Sequence, residues 1–527
     1  MNDLSRRILW ADDEIDLLRP HVRFLEQKGY IVTPVTSGED AMAELARDRY
    51  DVLLLDEMMP GLGGLETLAQ LKAKGLQLPV ILITKSEEET LMDEAIGKRI
   101  TDYLIKPVNP SQVFLACKRV FDSQRIQDGQ RARDYVGEMQ RWQTMDIKRL
   151  DWPGWVDLAV NVASWDVGLD GSPEAGLQQA HLDFRRSLNI DFGRFIEDKY
   201  PGWVARAAKG EGDRPTLSTD IVAKAVVPHL EAGRNVSLIV IDCMRLDQWF
   251  TLEPLLSEWF DIDRDYYCSI LPTATPYSRN AIFSGLLPAQ LKAQHPDKWA
   301  ENSNDERSKN RFEREFLEAH LARLQVKLAK GLKYLKVHDN DEAANVRRQV
   351  HSMSNLSLVA MVFNFLDILA HGRSESDLLQ ELAPDEASFR AVMKAWFTHS
   401  PLYEVFQALA HTDGVVVVTT DHGAVLGKRA ALVHGNRDTS TNLRYKFGLN
   451  LNTDSKHAII VRKPMDYQLP DDGVNKNYVL AREDYYFVYP TRFHEFEGRF
   501  KGSFQHGGVS VEEMILPLMT LHPKGRS

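Results

Sequence analysis

The sequence predicts an α/β protein in three parts: a doubly wound parallel sheet over residues 1–122, a helical linker bundle over 123–216, and a second α/β domain over 217–527. Three observations carry that prediction. Residues 1–122 alternate apolar runs with amphipathic stretches, the βα rhythm of a parallel sheet. Near Asp122 the pattern turns helical and rich in tryptophan, with Trp142, Trp152, Trp155, Trp165 and Trp203. From Leu217 the βα rhythm returns. A chain of 527 residues is long for one domain and suits two or three.

In order, the expected strands of the first part are Arg7–Ala11, Ile31–Val35, Val52–Asp56, Pro79–Thr84 and Tyr103–Lys106, with helices between them and a last helix after Pro110. Polar breaks at Asp170–Pro173 and Lys209–Pro215 punctuate the helical part. In the third part, Ser218 or Thr219 is placed to cap a helix over Asp220–Ala232. The strand Val236–Ile241 then leads to Asp242, and two further strands are expected to end on Asp367 and Asp421. A helical insert is expected at about 288–350, its charged centre at Asn304–Lys330.

A hydrophobic share of 43% and a charged share of 26% are ordinary for a soluble globular protein. No apolar run approaches the length that spans a bilayer, and the first residues show no signal-peptide pattern, so a cytoplasmic protein without a membrane span is expected. Cys117, Cys243 and Cys268 are too scattered for a metal spacing or a disulfide framework. The net charge of -11 argues against a duplex-DNA binder, which usually carries a basic face. A nucleotide substrate remains compatible, because a metal site supplies local positive charge in an acidic protein.

Functional groups of an open parallel sheet gather at the carboxyl ends of its strands. Here those ends carry Asp12-Asp13, Asp56, Thr84 and Lys106-Pro107. Clustered carboxylates make a hard-oxygen site for Mg²⁺, beside which one carboxylate attacks a phosphoryl group. Lys106 then pairs with the phosphoryl oxygens and Thr84 moves to hydrogen-bond them. The segments ILWADDE, VLLLDEMMPGLGG, ILITKS and DYLIKP resemble those of response-regulator receivers, a flavodoxin-like fold. The resemblance implies Asp56 as phosphoryl acceptor, with Asp12, Asp13, Asp56 and the Met58 carbonyl around the Mg²⁺. It also implies Thr84 and Tyr103 as the switch pair, Lys106 as the phosphate-sensing lysine, and dimerisation on phosphorylation. Lys98, Asp102 and Arg119 are candidates for the ion pairs of that dimer.

The third part carries Asp242, Thr275, Asp367, His371, Asp421, His422 and His506 near expected strand ends. Carboxylate and imidazole without thiolate suit Zn²⁺ or Mn²⁺. Seven ligands exceed one tetrahedral ion and fit two, the arrangement that clamps both oxygens of a phosphoryl displacement. In Leu271-Pro-Thr-Ala-Thr-Pro-Tyr-Ser a threonine stands at a helix start, as a plain cap or as an activated nucleophile. The PTAT segment with Ser284-Gly285, the Asp421-His422-Gly423 triplet and the terminal HGGVSVEEMILP together resemble the alkaline-phosphatase superfamily, nearest its PglZ branch. That resemblance implies Asp242, Thr275, Asp421 and His422 at one metal and Asp367, His371 and His506 at the other. It implies Thr275 as nucleophile, with Thr273 in reserve. Arg279, Arg429, Arg437, Arg444 and Lys446 are candidates to hold substrate phosphates.

A receiver, a helical linker and a PglZ domain in one chain resemble PorX-like response regulators, which act in type IX secretion. The resemblance implies a sensor histidine kinase of the PorY type, an extracytoplasmic-function sigma factor as a further partner, and phosphodiesterase activity on nucleotides or short oligonucleotides. The rival reading is a phosphorylation-gated interaction module whose metals are mainly structural.

Overall fold

The computed structural model describes residues 6–525 except 75, 77, 86–99, 173–174, 300–309, 436–441, 472, 474 and 491–492. The chain divides into two compact units, Met1–Thr144 and Met145–Ser527.

In the first unit, five parallel strands lie in the order β2-β1-β3-β4-β5: β1 (Arg7–Ala11), β2 (Ile31–Val35), β3 (Val52–Asp56), β4 (Val80–Thr84) and β5 (Asp102–Ile105). Successive side chains of a strand point to opposite faces, so a sheet covered on both sides needs apolar residues at every position. The central strands meet that need. Ile8, Trp10, Leu54 and Ile83 pack towards the helices Arg19–Gln27 and Pro110–Thr144, while Leu9, Ala11, Leu55 and Leu82 pack towards Gly38–Arg47 and Gly64–Ala73. Order reverses at β1 and β3, which opens a crevice at their carboxyl ends. The last helix runs 35 residues to Thr144, so the boundary expected at 122 falls inside it. Single glycines at 129 and 137 each cost only about 1 kcal/mol against alanine, too little to end a helix this long.

The second unit begins with the helices Trp152–Gly168 and Ala175–Ala208. Asp151 caps the first by accepting from the Gly154 N–H at 3.0 Å. Trp155 packs on Phe192 and Phe195 with ring centroids 5.1 and 5.5 Å apart. These helices also bond to the rest of the unit, since the Leu271 N–H donates to the Tyr200 hydroxyl at 2.8 Å. The later part of the expected linker is therefore built into the C-terminal body.

That body centres on a six-stranded sheet: β6 (Val236–Ile241), β7 (Phe260–Cys268), β8 (Leu332–Val337), β9 (Leu358–Phe363), β10 (Val415–Thr419) and the closing strand Ile515–Pro523. The order is β7, closing strand, β10, β6, β9, β8, with β10, β6, β9 and β8 parallel and the closing strand antiparallel to both its neighbours, β7 and β10. Apolar side chains fill both faces, against the helices Leu246–Leu256, Asn340–Met353 and Pro401–Leu409 on one side and Thr275–Ser284 and Glu313–Arg323 on the other. Two expectations need correction. The 288–350 insert is not all helical, because Leu332–Val337 is the edge strand β8 and Asn340–Met353 packs into the core. The helix expected over Asp220–Ala232 is broken into a 3₁₀ turn, a π turn over Val222–Val226 and a short α segment. Pro228 has no N–H for the α ladder, and the Val227 N–H bonds back five residues to Val222 instead. Ser218 is no cap there: its hydroxyl accepts from the Ile270 N–H at 3.1 Å.

Candidate functional site

At the crevice of the first sheet, carboxylate oxygens of Asp12, Asp13 and Asp56 lie within 4.8 Å of one another. Lys106 Nζ stands 3.0 Å from both Asp12 Oδ2 and Asp56 Oδ1. Burial pushes the Asp56 carboxyl up to about 6, with Lys106 opposing the shift and Asp12 and Asp13 adding to it. Three crowded carboxylates around one ammonium are short of positive charge, and hard oxygen donors suit Mg²⁺. The Thr84 hydroxyl, at the end of β4, donates to the Glu57 carboxylate. Tyr103 is partly exposed on β5, and the Met58 side chain is exposed after β3. Asp102 pairs with Arg119 at 2.7 Å within the chain, and Lys98 lies outside the described residues.

In the second sheet, β6 delivers Asp242 and β10 delivers Asp421 and His422, whose donor atoms lie within 4.8 Å of one another. All three are buried. His422 Nδ1 faces its neighbour's carbonyl, Gly423 O, at 3.1 Å. A carbonyl only accepts, so Nδ1 carries the proton and Nε2 is left as a lone-pair donor. Thr275 Oγ1 stands 2.9 Å from that Nε2. Thr275 is the first residue of the buried helix Thr275–Ser284, where the dipole favours negative charge. Asp242 Oδ1 and Asp421 Oδ2 are buried without a hydrogen-bond partner among the described residues. Burial raises the pKa of both carboxyls, and for Asp242 the Asp421 charge adds to it. Two orphaned carboxylate oxygens, an imidazole nitrogen and a hydroxyl oxygen are donor types that could hold a divalent cation.

Beside it lies a second group, Asp367, His371 and His506. Asp367 Oδ1 is 3.3 Å from His371 Nε2 and 3.9 Å from His506 Nε2. Burial works against the Asp367 charge, but the hydrogen bond and charge of His371, with His506 and His422, more than offset it and lower its pKa. Asp367 does not end a strand, as expected from the sequence. It lies in the first turn of the helix Phe365–Glu375, and the i, i+4 spacing brings His371 to the same face. The two groups adjoin, with the His422 and His506 rings stacked 4.1 Å apart.

Thr273 is committed elsewhere: its hydroxyl donates to Gly508 O at 2.8 Å and accepts from the Gly507 N–H at 3.1 Å. The basic residues expected at substrate phosphates take other partners. Arg279 is buried between Asp242 and Glu313, each at 2.6 Å. Arg444 is buried against Glu513 and against backbone carbonyls. Arg429 pairs with Glu483 and Asp484 and lies 3.9 Å over the Tyr485 ring. Lys446 is buried near Tyr489, and burial pulls its ammonium down to about 7. Arg437 lies outside the described residues. Sequence reasoning missed Glu57 and Glu313, and neither carries a local signal, since each matters through a partner distant in the chain.

A receiver-type domain joined to an α/β domain with two adjoining ligand groups is the class of protein that this fold and its sites define. Residues 8–118 match the response regulator receiver domain family, 125–204 the PorX response regulator linker domain, and 221–521 the BREX system PglZ alkaline phosphatase-like domain. The last match takes in more than half of the chain, which therefore belongs to the PglZ alkaline-phosphatase-like family, with the domain composition of a PorX-like response regulator. Among curated relatives, the alkaline phosphatase synthesis transcriptional regulatory protein PhoP of Bacillus subtilis is 30% identical over 125 residues, covering 23% of this chain and 51% of its own length. The transcriptional regulatory protein ResD of Bacillus subtilis is 34% identical over 112 residues, 21% of this chain and 46% of its own length. The chain thus spans about half the length of these relatives. Among solved structures, the chemotaxis protein CheY4 of Vibrio cholerae is 25% identical and covers 22% of this chain and 98% of its own, with a TM-score of 0.21. No helix among the described residues is long and apolar enough to cross a membrane.

Proposed function

We propose that this chain is a response regulator phosphorylated on Asp56 by a sensor histidine kinase of the PorY type, and that its output is a two-metal phosphodiesterase acting on nucleotides or short oligonucleotides. One observation carries the reading: the Thr275 hydroxyl stands 2.9 Å from His422 Nε2, at a helix N-terminus and among orphaned carboxylate oxygens. In the receiver, Asp12, Asp13, Asp56 and the Met58 carbonyl would hold Mg²⁺, while Lys106 holds the phosphoryl oxygens and Thr84 and Tyr103 switch.

Zinc or manganese ions held by Asp242, Thr275, Asp421 and His422 on one side, and by Asp367, His371 and His506 on the other, would supply the positive charge that an in-line phosphoryl displacement develops. Thr275 Oγ1 gives up its proton to solvent water at the positive end of its helix and attacks phosphorus, and the departing ester oxygen takes a proton back from solvent. The new Oγ1–P bond forms as the bond to the leaving ester oxygen breaks. Water then cleaves the phosphothreonine and restores the hydroxyl. The side of Asp367 and His371 is the more exposed, which suits entry of a diester there.

The match to the PorX linker family supports a role in type IX secretion, with an extracytoplasmic-function sigma factor as partner and a homodimer formed on phosphorylation. The test is Thr275→Val, assayed for bound metal and for turnover of bis-p-nitrophenyl phosphate. Turnover is expected to fall about a thousandfold or more with metals retained. Unchanged turnover would reject Thr275 as nucleophile.

A further inference from the structure

Arg279 follows Thr275 by four residues on the helix Thr275–Ser284, so the two side chains leave one face. Its Nη1 donates to Asp242 Oδ2 at 2.6 Å and stands 3.8 Å from Asp421 Oδ2, and its Nε donates to Glu313 Oε1 at 2.6 Å. Arg279 and Glu313 are both buried.

The four oxygens of the two carboxylates divide evenly. Asp242 Oδ2 is taken by Arg279, and Asp421 Oδ1 accepts from the His422 N–H at 3.1 Å and the Cys243 N–H at 3.4 Å. That leaves Asp242 Oδ1 and Asp421 Oδ2, one oxygen from each, both buried without a hydrogen-bond partner among the described residues. Asp242 Oδ1 is 3.6 Å from His422 Nε2. We propose that Arg279, held by Glu313, is the positioning residue of the first metal-ligand group: it fixes Asp242 with one oxygen towards Thr275 and His422, and it does not bind substrate phosphate. The inference rests on the two-metal reading.

Two features support it. Two of the three guanidinium nitrogens, Nε and Nη1, are bonded to carboxylates inside the protein, and moving the group would strand Glu313. Glu313 also balances the Arg279 charge, so the pair orients a ligand without adding net repulsion towards a cation. Glu313 is itself held, by Asn310 Nδ2 at 2.9 Å, by the Tyr334 hydroxyl and by Lys336 Nζ at 3.5 Å. Asn310 Nδ2 also donates to the Thr275 carbonyl at 3.1 Å. The segment after β7 that carries Asn310 and Glu313 therefore sets both the nucleophile turn and a ligand carboxylate.

The test measures Zn²⁺ affinity by chelator competition in the full-length wild type, R279M, E313Q, R279K and the double variant R279M/E313Q, with thermal unfolding of each. The wild type is expected to bind two ions. In R279M one of the two should bind about 10–100-fold more weakly, the usual effect of losing a group that orients a ligand. E313Q should also weaken that ion, because an uncompensated guanidinium then faces it. The double variant removes the stranded charge and should recover its unfolding midpoint but not its zinc affinity, while R279K should recover part of the affinity. KM for bis-p-nitrophenyl phosphate should stay within about twofold in R279M, as for an interaction that substrate does not make. Equal zinc affinity in wild type and R279M, or wild-type affinity in the double variant, would overturn the inference alone. A wild type that binds no zinc would instead end the two-metal reading.

Discussion

The imidazole rings of His422 and His506 lie 17° from parallel with centroids 4.1 Å apart. The first belongs to the buried Asp242–Asp421 group and the second to the more open Asp367–His371 group. The stack is thus the seam between them, and it brings the two sets of donor atoms into one cleft. His506→Ala removes one donor and one wall of the seam. Zinc content is expected to drop from two ions to one per chain, read by mass spectrometry of the native protein, with diesterase turnover lost alongside.

The Thr84 hydroxyl donates to Glu57, the residue after the expected acceptor Asp56. In that state the hydroxyl is withheld from a phosphoryl group on Asp56. Bonds to charged groups contribute about 1.5–3 kcal/mol, and ~1.4 kcal/mol is a tenfold shift in an equilibrium. Glu57→Ala is therefore expected to raise the phosphorylated fraction about tenfold at limiting acetyl phosphate, resolved on a phosphate-affinity gel. An unaltered fraction would show that Glu57 does not hold the switch.

The raised pKa of Asp56, about 6, sets a pH dependence. A carboxyl shifted upward on folding contributes stability below its unfolded value, and that contribution is lost as pH rises through about 6. Without Mg²⁺, the wild-type receiver transition should fall further below that of Asp56→Asn at pH 7.5 than at pH 5. Protons compete with the metal, so Mg²⁺ affinity should rise about tenfold from pH 5 to pH 7. Calorimetric titration at the two pH values checks this, and an Asp56→Asn protein should not show the rise.

Arg185, on the helix Ala175–Ala208, bonds to Asp166 at 3.0 Å, Glu386 at 2.9 Å and Glu512 at 2.6 Å; Arg185 and Asp166 are buried, and the two glutamates are largely so. Removing one partner of such a network leaves uncompensated charge and costs about 3–5 kcal/mol. Arg185→Met is expected to destabilise the C-terminal unit by that amount in urea, whereas exposed Arg19→Met in the receiver should leave it unchanged.

Glu512 carries the consequence further. A Cβ at Gly423 would sit 1.9 Å from the Glu512 carbonyl oxygen, so the Asp421-His422-Gly423 turn fits only with glycine there. Gly423→Ala should displace His422 and lower zinc content, with loss of turnover exceeding loss of stability in the same preparation.

Much was legible in the sequence because it is local. The strands β1–β6 follow from apolar runs, and Asp12, Asp56, Thr84, Lys106 and Asp242 at their ends follow from where a parallel sheet puts its functional groups. What was misread was long-range. Leu332–Val337 lies inside the insert expected at 288–350 to be helical, yet its alternation suits the edge of a sheet. Asp367 and His371, expected at a strand end, share one face because the segment is helical.

By itself, the sequence determined the two α/β domains, the acceptor candidate Asp56 and the seven candidate ligand residues, since chemistry and periodicity are written residue by residue. Only the tertiary structure decided which threonine hydroxyl points at His422 and which is spent on Gly508. It also decided that Arg279 and Arg444 pair with the carboxylates of Asp242 and Glu513 inside the protein. The reason is burial: a charged side chain taken out of water must find its partners inside the protein, and those partners lie far away in the chain.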